Sequence, residues 1–410
     1  MLIKNIKSIV QVEERPREKV CGADMSNLHT LENAWLLLEG GFISDFGVMD
    51  DLPQGCFGEE IDAFGCLVFP SFCDCHTHLV YAGSREQEFV DKINGLSYQE
   101  IAKRGGGILN SMELLAKTSE EELFDYTLRR AQEIISKGTG AVEIKSGYGP
   151  DLESEVKMLR VAKRIAQETP LEVRSTFLGA HAVPRPYAGD KEKYVNDVIN
   201  AYIPAIAAEG LADYIDVFCE EGFFSVEDTD RILQAGVKYG LRPKVHANQL
   251  SFSGGVQVGV RYGAISVDHL ECTDLEEFAL LKNAPAMPVV LPGASFFLNM
   301  NYAPAKKMIE YGLPLALASN YNPGSCPSGD MKFMVSLACI NMKLNTQQAI
   351  HAATINGAYA MGLSKSHGSI AKGKVANLFI TEDISSLDVV PYAFNTPLIN
   401  KIILKGKIIS

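Results

Sequence analysis

Residues 66–78, CLVFPSFCDCHTH, decide the fold, because this short apolar run ends in two histidines separated by one residue. Seven more such runs follow, and amphipathic segments of helical periodicity lie between them, such as residues 120–137 and 154–168. The later runs span residues 139–146, 171–180, 214–220, 242–247, 264–270, 286–292 and 313–319. Eight strand–helix repeats predict an α/β fold, a closed parallel (β/α)8 TIM barrel.

The two ends of the chain differ from this repeat. Residues 1–65 and 368–410 hold strand-like runs joined by glycine turns, including a pair around Gly40 and Gly41. Neither end is long enough to bury a core alone. We therefore predict one small β-sandwich domain built from 1–65 and 368–410, beside a barrel of residues 66–367.

Composition narrows the class of protein. The chain has 410 residues and a formal net charge of -12, and 47% of its residues are hydrophobic. An acidic balance argues against nucleic-acid binding, which needs a basic face. The sequence has no apolar stretch of about 18 residues, and its first residues lack the pattern of a secretion signal. With nine scattered cysteines, an odd number, we expect reduced thiols and a cytoplasmic protein without membrane contact.

Histidines follow several of the predicted strands. In such barrels, function lies at the carboxyl ends of the strands. Alternate residues of an extended chain point the same way, so His76 and His78 can reach one metal ion. His246 ends the fifth run, His269 lies in the sixth and His181 follows the third. Imidazole is a common ligand of zinc and other transition metals, so this pattern predicts a metal site.

These features resemble the amidohydrolase superfamily, which combines a histidine pair after strand one with histidines at strands five and six. Several longer motifs closely resemble one of its families, the imidazolonepropionases. The motifs are DCHTHLVYAGSREQEF, GGGI, EIKSGYG, FLGAHAVP, DVFCEEGFF, DHLE, LPGASFF and NPGS, within about residues 66–380. That family uses water to open the ring of 4-imidazolone-5-propanoate, giving N-formimidoyl-L-glutamate, in histidine degradation.

The resemblance implies roles for particular residues. One zinc or iron ion would bind His76, His78 and His246, with position 320 as the fourth ligand. The anionic substrate would contact eight residues: Arg85, Tyr98, Tyr148, His181, Gln249, Asn322, Gly324 and Ser325. The family also suggests a homodimer.

Side-chain chemistry is compatible with these roles. The planar fork of Arg85 suits a carboxylate, although a surface arginine beside acidic residues explains it equally well from spacing alone. Gln249 can hydrogen-bond a substrate but cannot act as a base. His269 is the better candidate for proton transfer; the alternative is a histidine that lies behind the metal ligands and is held by Asp268 or Glu271. Dinuclear members of the superfamily carry a bridging carboxylated lysine after strand four. No lysine ends the fourth run here, so the resemblance implies one metal ion.

Asn320 stands where the family and the chemistry both call for aspartate. An amide keeps a ligating oxygen but lacks charge and basicity, and a lost general base costs about 10²–10⁴ in rate. Engineering, natural divergence or a sequence error would each explain it, and the intact neighbouring motifs favour engineering or a weak retained activity. Two alternatives stay open: another cyclic amidohydrolase or deaminase, and a non-catalytic binder of imidazolone-like anions.

Overall fold

A computed structural model of the chain describes residues 1–55, 58–96 and 106–409. The strands of these residues are β1 Leu2–Val10, β2 Thr30–Glu39, β3 Phe42–Val48, β4 Glu60–Asp62, β5 Cys66–Pro70, β6 Phe72–Thr77, β7 Thr139–Lys145, β8 Glu172–Ala180, β9 Tyr214–Cys219, β10 Arg242–Ala247, β11 Ser266–His269, β12 Met287–Val290, β13 Ala316–Leu317, β14 Leu378–Asp383, β15 Ile399–Leu404 and β16 Lys407–Ile408. Their α-helices are Glu86–Ile93, Ile108–Lys117, Glu120–Ser136, Leu152–Glu168, Lys191–Asp197, Ile203–Ala208, Val226–Lys238, Gly255–Arg261, Leu275–Lys282, Pro292–Leu298, Ala305–Glu310, Met331–Ile340, Thr346–Ala353, Ile355–Ala360 and Val389–Tyr392.

Strands β6 to β13 form one parallel sheet in chain order, as the eight repeats predict. Every residue of β6, β7, β9, β11 and β12 is buried. Burial on both faces is typical of parallel strands that helices cover on the outside. The predicted (β/α)8 barrel is confirmed.

The barrel closes between its first and last strands. Thr77 and Tyr321 form a parallel bridge there. The backbone N–H of Asn320 donates to the carbonyl of His76 over 3.0 Å, and that of His78 donates to the carbonyl of Tyr321 over 2.9 Å. The closure therefore lies at the carboxyl ends of the strands, beside the predicted metal-binding histidines.

Local capping explains where the long helices begin. Ser119 precedes Glu120–Ser136 and makes a reciprocal capping box with Glu122. Asp151 precedes Leu152–Glu168, and its carboxylate accepts from the N–H of Ser154 over 2.8 Å. Both helices agree with the predicted segments 120–137 and 154–168.

The remaining strands form a separate sheet that both termini build, in the order β16-β15-β14-β5-β1-β2-β3, with β4 paired to β1. It has its own apolar cluster, which includes Ile6, Leu36 and Ile380. The glycine turn predicted around Gly40 and Gly41 joins β2 to β3, and both glycines have positive φ, 59° and 90°.

One predicted strand is divided between the two sheets. Residues 66–75 are not a single barrel strand, since β5 pairs with β14 and β1 in the terminal sheet and only β6 enters the barrel. The backbone N–H of Ser71 donates to the carbonyl of Asn377, which directly precedes β14 of the terminal sheet. The backbone N–H of Phe72 donates to the carbonyl of Gly138, which directly precedes β7 of the barrel. Successive residues thus bond to different sheets. The domain boundaries at 65 and 367 stay a prediction.

In the part of the chain that the structure describes, the helices are too short or too polar to span a bilayer.

Candidate metal centre and substrate cavity

Three imidazoles meet at the carboxyl end of the barrel. His76 of β6, His246 of β10 and His269 of β11 each offer a ring nitrogen, and these nitrogens lie within 4.8 Å of one another. All three residues are buried. Such a group can hold a metal ion, so the structure brings together three of the histidines that the sequence singled out.

His78 lies next to this group. Its ring centroid is 5.4 Å from that of His76 and 5.7 Å from that of His246, and its Nδ1 is buried without a hydrogen-bond partner among the described residues. Strand β6 ends at Thr77, so His78 is already beyond the regular strand. Its role as a ligand stays a prediction.

Carboxylates lie behind two of the imidazoles, and the one behind His76 makes a hydrogen bond with its ring. Nδ1 of His76 is 2.6 Å from Oδ2 of Asp268, and Nδ1 of His246 is 3.0 Å from Oδ2 of Asp216. The Nε2 atoms of both rings are buried and have no hydrogen-bond partner in the described part of the chain. A carboxylate on one ring nitrogen leaves the lone pair of the other for a metal, and these residues therefore fit such an ion.

Burial sets the charge of the imidazoles. It lowers the pKa of His76 and of His78 well below the ordinary value, and their cationic neighbours lower it further. It also lowers the pKa of His246, although Asp216 opposes the shift. The three rings are therefore neutral near pH 7, the form that binds a metal.

Lys145 fills the space beneath the histidines. Its Nζ lies 2.6 Å from Oε1 of Glu143, 2.8 Å from Oδ2 of Asp216 and 3.5 Å from Oδ2 of Asp268. Lys244 pairs with the other oxygen of Glu143. All five side chains are fully buried. Burial lowers the pKa of Lys145, but the carboxylates outweigh it and the net shift is upward.

Asn320 belongs to a loop that other residues hold in place. Its backbone is left-handed, with φ 58°, a conformation that asparagine tolerates well. Its Nδ2 donates to Oγ of Ser325 over 3.3 Å. Asn322 fastens the loop, because its Oδ1 accepts from the N–H groups of Gly324 and Ser325, each over 2.8 Å, and its Nδ2 donates to the carbonyl of Asn320 over 2.6 Å.

Arg85 lies against this loop. A Cβ added at Gly324 would overlap Nη1 of Arg85, so glycine lets the guanidinium approach the backbone. Nη2 of Arg85 pairs with Glu88, whose other oxygen accepts from the N–H of Gly107 over 2.7 Å. The Nε atom of Arg85 is buried with no partner among the described residues. Lys92 is a second cation nearby, and burial followed by Arg85 lowers its pKa.

Tyr148 and His181 line the same cavity as this loop. Their ring centroids are 5.6 Å apart, and that of His181 is 5.1 Å from His78 in a stacked arrangement. Burial lowers the pKa of His181 to about 3, so its ring is neutral. The N–H groups of Gly147 and Gly149, on both sides of Tyr148, donate to the carboxylate of Glu155 over 2.6–3.2 Å. Glu155 therefore shapes this loop.

A single cavity of about 480 Å³ joins these groups. The predicted residues that line it are His78, Arg85, Tyr148, His181, His246, Gln249, His269, Asn320, Asn322, Gly324 and Ser325. His76 is fully buried beneath them, and Tyr98 lies outside the described residues. The individual roles assigned to these residues stay predictions.

Sequence reasoning missed other parts of the site. Lys92, Phe218, Phe223 and Met300 also line the cavity. Phe218 and Phe223 both belong to the motif DVFCEEGFF that the family resemblance already contained, but nothing in their spacing indicates a cavity wall. His269 is not held by Asp268, which contacts His76; its Nδ1 lies 3.4 Å from Oε1 of Glu271.

Residues 67–409 match the Amidohydrolase family, and the chain belongs to it. An adenosine deaminase from Xanthomonas campestris, solved with bound zinc, has the same fold: its TM-score is 0.73 at 16% identity, over 99% of this chain and 92% of that one.

Full-length relatives are more specific. The imidazolonepropionase of Flavobacterium johnsoniae is 54% identical over 408 residues, which cover 100% of this chain and 99% of that protein. The imidazolonepropionase of Christiangramia forsetii is 54% identical over 409 residues, covering both chains completely. Within the amidohydrolases, the chain is a member of the imidazolonepropionase family.

Proposed function

We propose that this chain hydrolyses 4-imidazolone-5-propanoate to N-formimidoyl-L-glutamate in histidine degradation. The observation that carries the proposal is the cavity with imidazoles on its floor and Arg85 on its wall. A small anion with a reactive ring needs both features. Its carboxylate pairs with a cation while its ring carbon lies over the group that delivers water.

The carboxylate belongs beside Arg85. The guanidinium has donors left after it pairs with Glu88, since its Nε is buried and unpartnered in the described part of the chain. Guanidinium binds carboxylate through two parallel hydrogen bonds. The backbone loop of Gly324 and Ser325 borders the same position and adds polar groups for the substrate.

The ring belongs between His181, Tyr148 and Gln249. Because the ring of His181 is neutral, its N–H donates to the substrate oxygen without placing a full charge in the cavity. Gln249 donates or accepts at a ring nitrogen but transfers no proton. His269 lines the same cavity and is the residue that we assign to proton transfer.

One zinc or iron ion, bound by His76, His78 and His246 with Asn320, would lower the pKa of water to about 7 and supply the nucleophile. The neutral rings of His76 and His246 and their unpartnered Nε2 atoms support these two members of the ligand set. We expect Asn320 to weaken the enzyme because an amide takes no proton from the attacking water.

The direct test is turnover of 4-imidazolone-5-propanoate by the metal-loaded protein, with product identified by mass. We expect formimidoylglutamate, at a rate that Asn320 limits. Arg85→Met should raise KM at least tenfold, whereas Arg160→Met, which removes a solvent-exposed arginine paired with Glu209, should leave KM unchanged.

Other outcomes would identify the alternatives. Release of ammonia in place of formimidoylglutamate would indicate a deaminase, which has no use for the carboxylate clamp if its heterocycle is neutral. Binding without turnover, persisting after Asn320→Asp, would indicate a non-catalytic binder. We further propose that the protein is cytoplasmic and forms a homodimer, which cell fractionation and light scattering test.

A further inference from the structure

One ammonium group connects two elements of the metal centre. Lys145, the last residue of β7, contacts Oδ2 of Asp216 on β9 over 2.8 Å and Oδ2 of Asp268 on β11 over 3.5 Å. The same two oxygen atoms contact Nδ1 of His246 over 3.0 Å and Nδ1 of His76 over 2.6 Å. One carboxylate therefore lies between Lys145 and each imidazole, and the two imidazoles belong to strands on different sides of the barrel.

The contacts restrict how the two rings can turn. Oδ1 of Asp216 also accepts from the backbone N–H of His246 over 3.1 Å, so this carboxylate is held at both oxygens. Asp268 has no such second anchor, and its Oδ1 is buried without a hydrogen-bond partner among the described residues. Asp268 therefore depends on His76 and on the cation for its position.

We propose that Lys145 is a positioning residue of the metal centre: its ammonium holds Asp216 and Asp268, and through them directs Nε2 of His246 and of His76 at one point. The inference concerns the affinity of the centre for a metal ion, and it does not require that the substrate proposed above is correct. Carboxylates behind metal-binding histidines typically change metal affinity 10–100-fold, and Lys145 fixes two of them at once.

The charge of the buried group complicates a substitution. Among the residues that the structure describes, Glu143, Asp216 and Asp268 face two ammonium groups, those of Lys145 and Lys244. Lys145→Met leaves three carboxylates with one cation, and an uncompensated buried charge is destabilising. A control variant must therefore also remove a buried lysine, but one that makes no contact with the metal centre.

Lys374 provides that control. It is 1% exposed, and its Nζ donates to the carbonyls of Ser364 and His367 and to Oγ of Ser369, away from the histidine group. Lys374→Met thus removes a buried ammonium with three partners, as Lys145→Met does. Both variants are expected to unfold at lower temperature than the parent, so stability alone does not distinguish them.

The experiment measures Zn²⁺ affinity of the metal-free, full-length protein by competition with a chromophoric chelator. We expect Lys145→Met to bind Zn²⁺ about 10–100-fold more weakly than the parent, and Lys374→Met to bind it as tightly as the parent. A folded Lys145→Met protein with parental Zn²⁺ affinity would overturn the proposal. So would an equal loss of affinity in both variants.

If Lys145→Met does not fold, the double variant Lys145→Met/Asp268→Asn replaces it, because one cation and one anion are removed together. It is compared with Asp268→Asn alone. The proposal expects the double variant to bind Zn²⁺ more weakly, since its link to Asp216 is also lost. Equal Zn²⁺ affinity of the two proteins would refute a positioning role. Neither measurement depends on turnover, so a failure of the proposed reaction is recognised separately.

Discussion

Replacing Asn320 with aspartate introduces the base that the proposed hydrolysis requires at this point of the cavity. The side chain contacts the loop only through one hydrogen bond of 3.3 Å, from Nδ2 to Oγ of Ser325. Asn322 holds the same loop through four shorter bonds of 2.6–2.8 Å. The substitution should therefore leave the loop in place, with the charge of the buried carboxylate compensated when the metal ion is bound.

The effect on rate should be large. A carboxylate adds a base next to neutral imidazoles and brings a negative charge to the predicted metal ligands. We expect kcat to rise about 10²–10⁴-fold, equivalent to roughly 3–5 kcal/mol in the activation free energy. KM should change little, because the carboxylate-binding Arg85 is untouched. Both proteins are assayed with 4-imidazolone-5-propanoate at equal metal content.

Asn33→Asp is the matched control. Asn33 is also left-handed, with φ 47°, and it is exposed in β2 of the terminal sheet. It reports any general effect of placing aspartate in this backbone conformation. An Asn320→Asp protein that binds metal but turns over no faster than the parent would refute the assignment of position 320 as the missing base.

Three further perturbations test the rest of the site. Gly324→Ala should raise KM at least tenfold with little change in kcat, because the added Cβ displaces Arg85. An unchanged KM in steady-state kinetics would contradict the proposal that Arg85 binds the substrate carboxylate. Burial raises the pKa of Glu155 from 4.5 to about 7. Between these two pH values the folded protein still holds a proton that the unfolded chain has released. The stability that this proton contributes is complete below pH 4.5 and is lost as pH rises towards 7. In urea unfolding, Glu155→Gln should remove about 3 kcal/mol of this pH dependence. Parallel plots of unfolding free energy against pH for the two proteins would refute this prediction. Removing metal with a chelator should abolish turnover and lower the melting temperature, and Zn²⁺ or Fe²⁺ should restore both; activity that survives complete metal removal would exclude the proposed mechanism.

Periodicity alone predicted the repeating part of the fold. Each apolar run after the first became a strand of the barrel within a few residues, because a strand covered on both faces must be apolar along its length. Helix starts were equally local, since Ser119 and Asp151 satisfy N–H groups of the next turn. The grouping of the strand-end histidines also followed, because chain order places the ends of parallel strands at one rim, whereas Arg85, Gln249 and Asn322 came from the family resemblance.

The first strand shows the limit of this reasoning. Residues 66–75 form one apolar run, and only pairing partners far along the chain assign β5 to the terminal sheet and β6 to the barrel. Apolar character reports burial and carries no information about which sheet a residue joins.

The sequence also did not predict which charged residues lie behind the metal-binding histidines. Asp216 and Asp268 are single acidic residues inside apolar strands, and Lys145 ends a strand that also contains Glu143; no spacing links the three strands. They meet because strand register sets His246 opposite Asp268 and Phe218, and because barrel closure brings β6 against β13. The sequence by itself determined which side chains reach the rim, since that depends on their place in each strand. Only the tertiary structure decided which of them touch, because contacts across a closed barrel depend on the register of all eight strands together.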